Sequence, residues 1–185
     1  MKTVFYSRVI DAVSDTPIEN GMVVVDDDKI IYVGEEKEYD DSSAATYRLE
    51  GKTIMPGFID AHAHLCGEES IHKSGDTPYD LLLTTVQDLK DLVDAGVTGV
   101  RDMSAFGASL KRAIEAGNIT GPRIMPGGRV MSISSRHCDM NPMLTPEESN
   151  KRDLIGCLVD GPDDCYRKTR QQFREGAQFI KICAT

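Results

Sequence analysis

Apolar and polar residues change rhythm near residue 58. Before it, short runs at 3–6, 22–25, 30–33 and 53–55 are rich in Val, Ile and other strand-forming residues, and the second and third flank the acidic turn Asp26-Asp-Asp-Lys29. Runs of that kind on either side of a short polar turn predict a β-hairpin. Residues 39–46 are polar and predict a loop. After residue 58, apolar runs at 58–65, 97–103, 123–130 and 179–184 are separated by helix-length segments, the alternation that parallel β/α units produce. Within 79–95, Leu82, Val86, Leu89 and Val93 recur at helical spacing. Thr77, Pro78 and Asp80 supply a start signal for that helix and Gly96 a stop. Further helices are predicted at 108–116, ending at Gly117, and at 163–175, between Pro162 and Gly176. Residues 131–160 are polar, then mixed, and predict an excursion over the functional face without regular structure.

Composition narrows the class. The 185 residues suffice for one good-sized core, and no stretch approaches the roughly 18 consecutive apolar residues of a membrane helix. Basic residues number 21 against 30 acidic ones, and the net charge of −9 argues against nucleic-acid or anionic-membrane partners. The N-terminus lacks a continuous apolar segment and a cleavage-site pattern, so no signal peptide and a cytoplasmic location are expected. Cys66, Cys138, Cys157, Cys165 and Cys183 are odd in number and show no CxxC spacing, which predicts reduced thiols. Cys66 and Cys138, close to histidines, read as small apolar fillers.

The chemistry concentrates in Asp60-Ala-His-Ala-His64. Side chains of a strand alternate faces, so His62 and His64 are expected to project together from Cβ atoms about 7 Å apart, close enough to converge on one ion. Ile59, Ala61, Ala63 and Leu65 fall on the other face, as helices packing outside a parallel sheet would require. The pair reads as half of a metal site, or else as polar residues on a half-exposed strand. Asp60 points to the histidine side one step deeper and reads as a partner for a buried cation or a ligand imidazole. Four β/α strands fit after residue 58, whereas a closed eight-stranded barrel takes typically about 250 residues. The chain is therefore expected to hold the first half of one.

Five stretches resemble the amidohydrolase superfamily of metal-dependent hydrolases, in particular its imidazolonepropionase-like and prolidase-like dipeptidase branch. They are the hairpin 22–33, Gly51-Lys-Thr-Ile-Met-Pro-Gly-Phe-Ile-Asp-Ala-His-Ala-His64, Gly96-Val-Thr-Gly-Val-Arg-Asp102, Gly121-Pro-Arg-Ile124 and Phe179-Ile-Lys-Ile182. The resemblance implies an α/β fold: a (β/α)8 TIM-type barrel, first half only, with a small β-sandwich. Residues 1–57 would belong to the sandwich and 58–185 would form the first four β/α units. It further implies that His62 and His64 hold one divalent ion and that Lys181, carboxylated by carbon dioxide, bridges it to a second, both zinc. Lys181 lies between Ile180 and Ile182 and shares a face with Phe179 and Cys183. Desolvation disfavours an ammonium, and a carbamate offers two anionic oxygens suited to bridging cations about 3.5–4 Å apart. The alternative is a strand-end lysine that reaches solvent.

His137 resembles the histidine that follows the third strand in the dipeptidase-like branch and implies contact with substrate, although Ser134-Ser-Arg136 stands where that family carries glycines. His72 lies in a polar loop and reads as solvated. Arg101 and Asp102 match the family's strand-end pair and read as an ion pair or a hydrogen-bonding partner within the barrel. The implied activity is hydrolysis of C–N bonds by a binuclear zinc dipeptidase or carboxypeptidase acting on small molecules or dipeptides. The alternatives are a cyclic-amide hydrolase or deaminase, and a non-catalytic scaffold. By the same resemblance the remaining ligands and the general base lie beyond residue 185, so residues 1–185 alone are expected to be inactive. The other half of the barrel is expected as a partner, in a homo-oligomer.

Overall fold

The computed structural model describes residues 1–39, 43–66, 77–139 and 142–184. The chain divides into two compact units, Met1–Pro56 and Gly57–Thr185.

The first unit is a four-stranded sheet in the order β3-β2-β1-β4, with β1 at Lys2–Val9, β2 at Ile18–Asp26, β3 at Lys29–Glu35 and β4 at Ala45–Ile54. The expected hairpin is β2–β3, paired antiparallel and turned through Asp27, whose φ of 52° suits an aspartate in the left-handed region. Val4, Met22 and Val24 form its core against Tyr6, Tyr32, Tyr39 and Ala44. β4 starts earlier than the polar sequence predicts, at Ala45, because it pairs parallel with β1 on the sheet edge, where most of its side chains face solvent. An exposed edge strand needs no apolar run to hold it, so its sequence carries little alternation.

The second unit carries the β/α alternation: β5 (Phe58–Ala63), α1 (Pro78–Asp94), β6 (Val97–Asp102), α2 (Gly107–Glu115), β7 (Arg123–Pro126), β8 (Val130–Ser132), α3 (Pro146–Arg152), β9 (Gly156–Leu158), α4 (Pro162–Glu175) and β10 (Ile182–Cys183). Its strands form two all-parallel sheets, β5-β6-β7 and β10-β8-β9. Among the described residues no helix is long and apolar enough to cross a membrane.

The third expected strand, 123–130, is two strands. β7 pairs with β6, and β8 pairs with β9 and β10. Between them Gly127 donates its N–H to the Asp102 carbonyl at 2.7 Å, and Gly128 takes φ +65°, a conformation open to glycine. The corner moves the chain from one sheet to the other. The stretch 131–160 is also more regular than its polarity suggests, since it contains α3 and β9. Both are too short for a period to register. Their signals are local: Thr145 and Glu148 form a capping box with Pro146 in the first turn, and the Asn150 side chain bonds both the N–H and the C=O of Leu158. The last strand is shorter than the expected 179–184, its pairing confined to Ile182 and Cys183.

The helix predicted at 79–95 forms as α1, but its buried line is Leu81, Thr85 and Leu89, with Leu82, Val86 and Leu92 half-buried beside it. Thr85 sits in that line without cost because its hydroxyl donates to the Leu81 carbonyl at 2.8 Å. Leu89 joins Leu65, Val100, Leu110 and Ile124 in the core between the β5-β6-β7 sheet and α1 and α2. Leu89→Ala, at a fully buried position, is expected to cost about 2–5 kcal/mol. Leu83→Ala, on the solvent face at 71% exposure, is expected to change stability by less than about 0.5 kcal/mol. Denaturant titration of the two variants beside the native chain checks the pair.

Candidate metal centre

The histidine pair sits at an irregularity in the first parallel ladder. Ile59 lies opposite Gly99 and Asp60 opposite Val100, but the next partners are Ala63 and Asp102, so three steps along β5 answer two along β6. One extra residue in a strand is a β-bulge, a device that re-aims side chains. The His62 N–H, at the bulge, donates to Asp60 Oδ1 at 2.9 Å. Asp60 is exposed, and its carboxylate is engaged by this main-chain group, where the sequence suggests an imidazole or a buried cation. Past the bulge the ladder resumes, with the Met103 N–H donating to the Ala63 carbonyl at 2.8 Å.

His62 is exposed and His64 half-buried, and their ring centroids lie 5.3 Å apart at an interplanar angle of 64°. Imidazoles sharing one zinc at about 2.0–2.1 Å and a near-tetrahedral angle would have ring centres about 5 Å apart, so the spacing fits a common ion. His64 Nδ1 is 2.9 Å from the Met103 carbonyl oxygen. A carbonyl only accepts, so Nδ1 carries the proton and Nε2 of the neutral ring keeps the lone pair a metal needs.

Behind the pair lies Asp102, fully buried. Its Oδ1 accepts the Leu65 N–H at 2.7 Å and the Ser104 hydroxyl at 2.8 Å, and its Oδ2 accepts the Ser104 N–H at 3.3 Å. Burial pushes its carboxyl above the usual carboxylate range, while these donors and the nearby His64 pull the other way. Arg101 lies on the opposite, exposed face of β6, its guanidinium 4.4 Å from the Phe179 ring centroid. Of the two readings of Arg101 and Asp102, hydrogen bonding holds for Asp102, and the ion pair does not form because strand alternation sends the two side chains apart.

Lys181 is half-buried beside β10, its carbonyl accepting the Met131 N–H at 2.9 Å. The flanking Phe179 and Cys183 pack against a cluster of Cys66, Met103, Val130, Cys138 and Ile155. That cluster joins residues just past the ends of β5 and β6 to those beside Lys181. His137 is exposed on the loop after β8, where Ser134 bonds the Asp160 carboxylate and the Ser135 N–H bonds Asp139 Oδ2. His72 lies outside the described residues. Among the described residues no three His, Cys, Asp or Glu side chains gather into a metal-holding group. Sequence reasoning missed the parts played by Met103 and Ser104 and the partners of Asp102. The pattern Asp102-Met-Ser104, with a hydroxyl two residues after a carboxylate, is the local signal that could have found them.

Comparison with known proteins places this geometry among relatives. The amidohydrolase family profile matches residues 53–185. The ochratoxinase of Aspergillus niger is 25% identical over 203 residues, covering 99% of this chain and 42% of that protein, and its crystal structure superposes with a TM-score of 0.85. A prolidase crystallised with N-methylphosphonate-L-proline gives a TM-score of 0.88 at 30% identity, over 100% of this chain and 47% of that one. The imidazolonepropionase of Fusobacterium nucleatum is 27% identical over 132 residues, 55% of this chain and 32% of that protein. The chain spans less than half the length of these relatives.

Among the described residues the cysteines form no disulfide, and Cys66 and Cys138 are buried fillers as expected. Cys138 Sγ lies 3.5 Å from Cys183 Sγ. Burial, reinforced by that neighbouring sulfur, pushes the Cys138 thiol up to about 12, with the Lys181 charge acting the other way. A raised thiol value means less of the reactive thiolate at a given pH. At about pH 8.5, where an ordinary thiol is half ionised, Cys138 is expected to escape alkylation by iodoacetamide in the folded chain and to react after denaturation. Peptide mass mapping reads the difference.

Proposed function

The chain belongs to the amidohydrolase family, and from that premise we propose that it carries the first metal-binding elements of a hydrolase that cleaves C–N bonds in dipeptides or other small amides. The observation that carries this reading is the histidine pair, two rings spaced for one ion with the His64 tautomer set by a main-chain carbonyl. In this reading residues 58–185 form the first four β/α units of a (β/α)8 barrel and residues 1–57 contribute to a β-sandwich. His62 and His64 hold a divalent ion, zinc, through ring nitrogens. Lys181, as the carbamate formed when its neutral amine adds carbon dioxide and loses a proton, would supply anionic oxygens to a divalent ion. The lysine's half-buried position, and the packing of its neighbours against Cys66 and Met103, support that role. Bound ions of this kind supply Lewis-acid activation of a water and of the scissile carbonyl.

The residues of this chain then have separable tasks. Met103 holds the proton on His64 Nδ1 and so keeps the opposite nitrogen available. Asp60 holds the bulge that carries His62. His137, on a loop tied down through Ser134 and Ser135, would meet the substrate's carboxylate or carbonyl end. Likeness to the prolidase structure supports a dipeptidase. Likeness to an imidazolonepropionase supports a second reading, a cyclic-amide hydrolase with one metal and an unmodified lysine.

Zinc competition with a chromophoric chelator tests the assignment. His62→Ala and His64→Ala are each expected to abolish measurable binding, and Lys181→Ala to lower the metal content to about one equivalent or less, since two-metal sites need the bridging anion. Uptake of labelled carbon dioxide, followed by carbon NMR, should give a carbamate signal that Lys181→Ala removes. Unchanged zinc affinity in both histidine variants would refute the reading, and one equivalent of metal with no carbamate signal would favour the cyclic-amide alternative.

A further inference from the structure

Asp102 is a buried carboxylate whose two oxygens accept from Leu65 and Ser104, and an amide in its place would set an N–H of its own against one of these donors. We infer that Asp102 is a positioning residue for the metal-ligand turn, its buried carboxylate fixing the segment that presents His64 to a divalent ion. The inference rests on the metal reading of the histidine pair.

The bonds made by two consecutive residues carry it. The Met103 N–H takes the Ala63 carbonyl, the Met103 carbonyl takes the His64 ring, and the Asp102 carboxylate takes the Leu65 N–H. Residues 63, 64 and 65 are thus held in turn, and His64 is bracketed on both sides by main-chain bonds to the end of β6. The carboxylate itself has little freedom. Ser104 grips it through its N–H and its hydroxyl, and α2 begins against it, since a Cβ on Gly107 would lie 2.1 Å from Asp102 Oδ2. The Asp102 carbonyl accepts the Gly127 N–H, tying the same residue to the corner after β7. A ligand turn interrupted by a bulge has lost part of its ladder, and Asp102 supplies the missing restraint from the neighbouring strand.

The test uses the full chain and two readouts, the tautomer of the His64 ring by long-range nitrogen–proton NMR and zinc affinity by chelator competition. In the native chain the neutral ring is expected as the Nδ1–H form. Asp102→Asn is expected to give a mixture of tautomers and zinc affinity weaker by about 10–100-fold, the usual cost of losing a group that orients a ligand. Val159→Ala, destabilised in a separate core cluster with Met131 and Cys157, is expected to keep the native tautomer and affinity, which separates positioning from stability. Should Asp102→Asn fail to fold, Ser104→Ala, which frees one side of the carboxylate, is expected to shift both readouts in the same direction by a smaller factor. Native tautomer and native zinc affinity in the folded Asp102 variant, or in Ser104→Ala where that stands in for it, would overturn the inference alone. A native chain that takes up no zinc would overturn the metal reading and this inference together.

Discussion

A carboxylate shut away from water must find its donors in the protein, and whatever supplies them is held in place by the same bonds. At Asp102 the donors come from the residue after His64 and from Ser104, while its carbonyl receives the N–H of Gly127. The ends of β5, β6 and β7 are therefore joined at one residue, beyond the point where the regular ladders stop. The histidine pair, the bulge that aims it and the corner that begins the next sheet all depend on this junction.

The bulge gives the junction its importance. A regular strand would hold His62 and His64 by paired neighbours on both sides, but the extra residue between Asp60 and Ala63 interrupts that pairing. The lost main-chain partner is replaced by carboxylates, Asp60 within the strand and Asp102 across it. Two acidic residues thus hold the main chain on either side of the histidine pair.

How far this was legible in the sequence depends on the range of each interaction. Buried strands and long helices must satisfy a period, and the hairpin, α1 and the β/α order were readable from theirs, whereas α2 and α4 were readable from the residues that bound them. β4 escaped because its residues face solvent, and β8, α3 and β9 because they are shorter than a period needs to show itself. His62 and His64 could be read from spacing alone. Lys181 could not, since from its own strand it looks like any lysine between isoleucines, and it stood out through resemblance of the wider pattern. The bulge and the role of Asp102 were hidden for a different reason: register belongs to a pair of strands, and Leu65 and Asp102 are 37 positions apart.

The corner at Gly127 has no room for a side chain. Were a side chain present there, its first carbon would lie 2.5 Å from the Phe179 ring, the same ring that carries the Arg101 guanidinium on its face. The glycine and the phenylalanine occupy a single allotment of space divided unequally between two segments of the chain. Neither can drift in size on its own, so across divergent family members the two positions should change as a couple, a bulkier corner travelling with a slimmer partner and a relocated arginine.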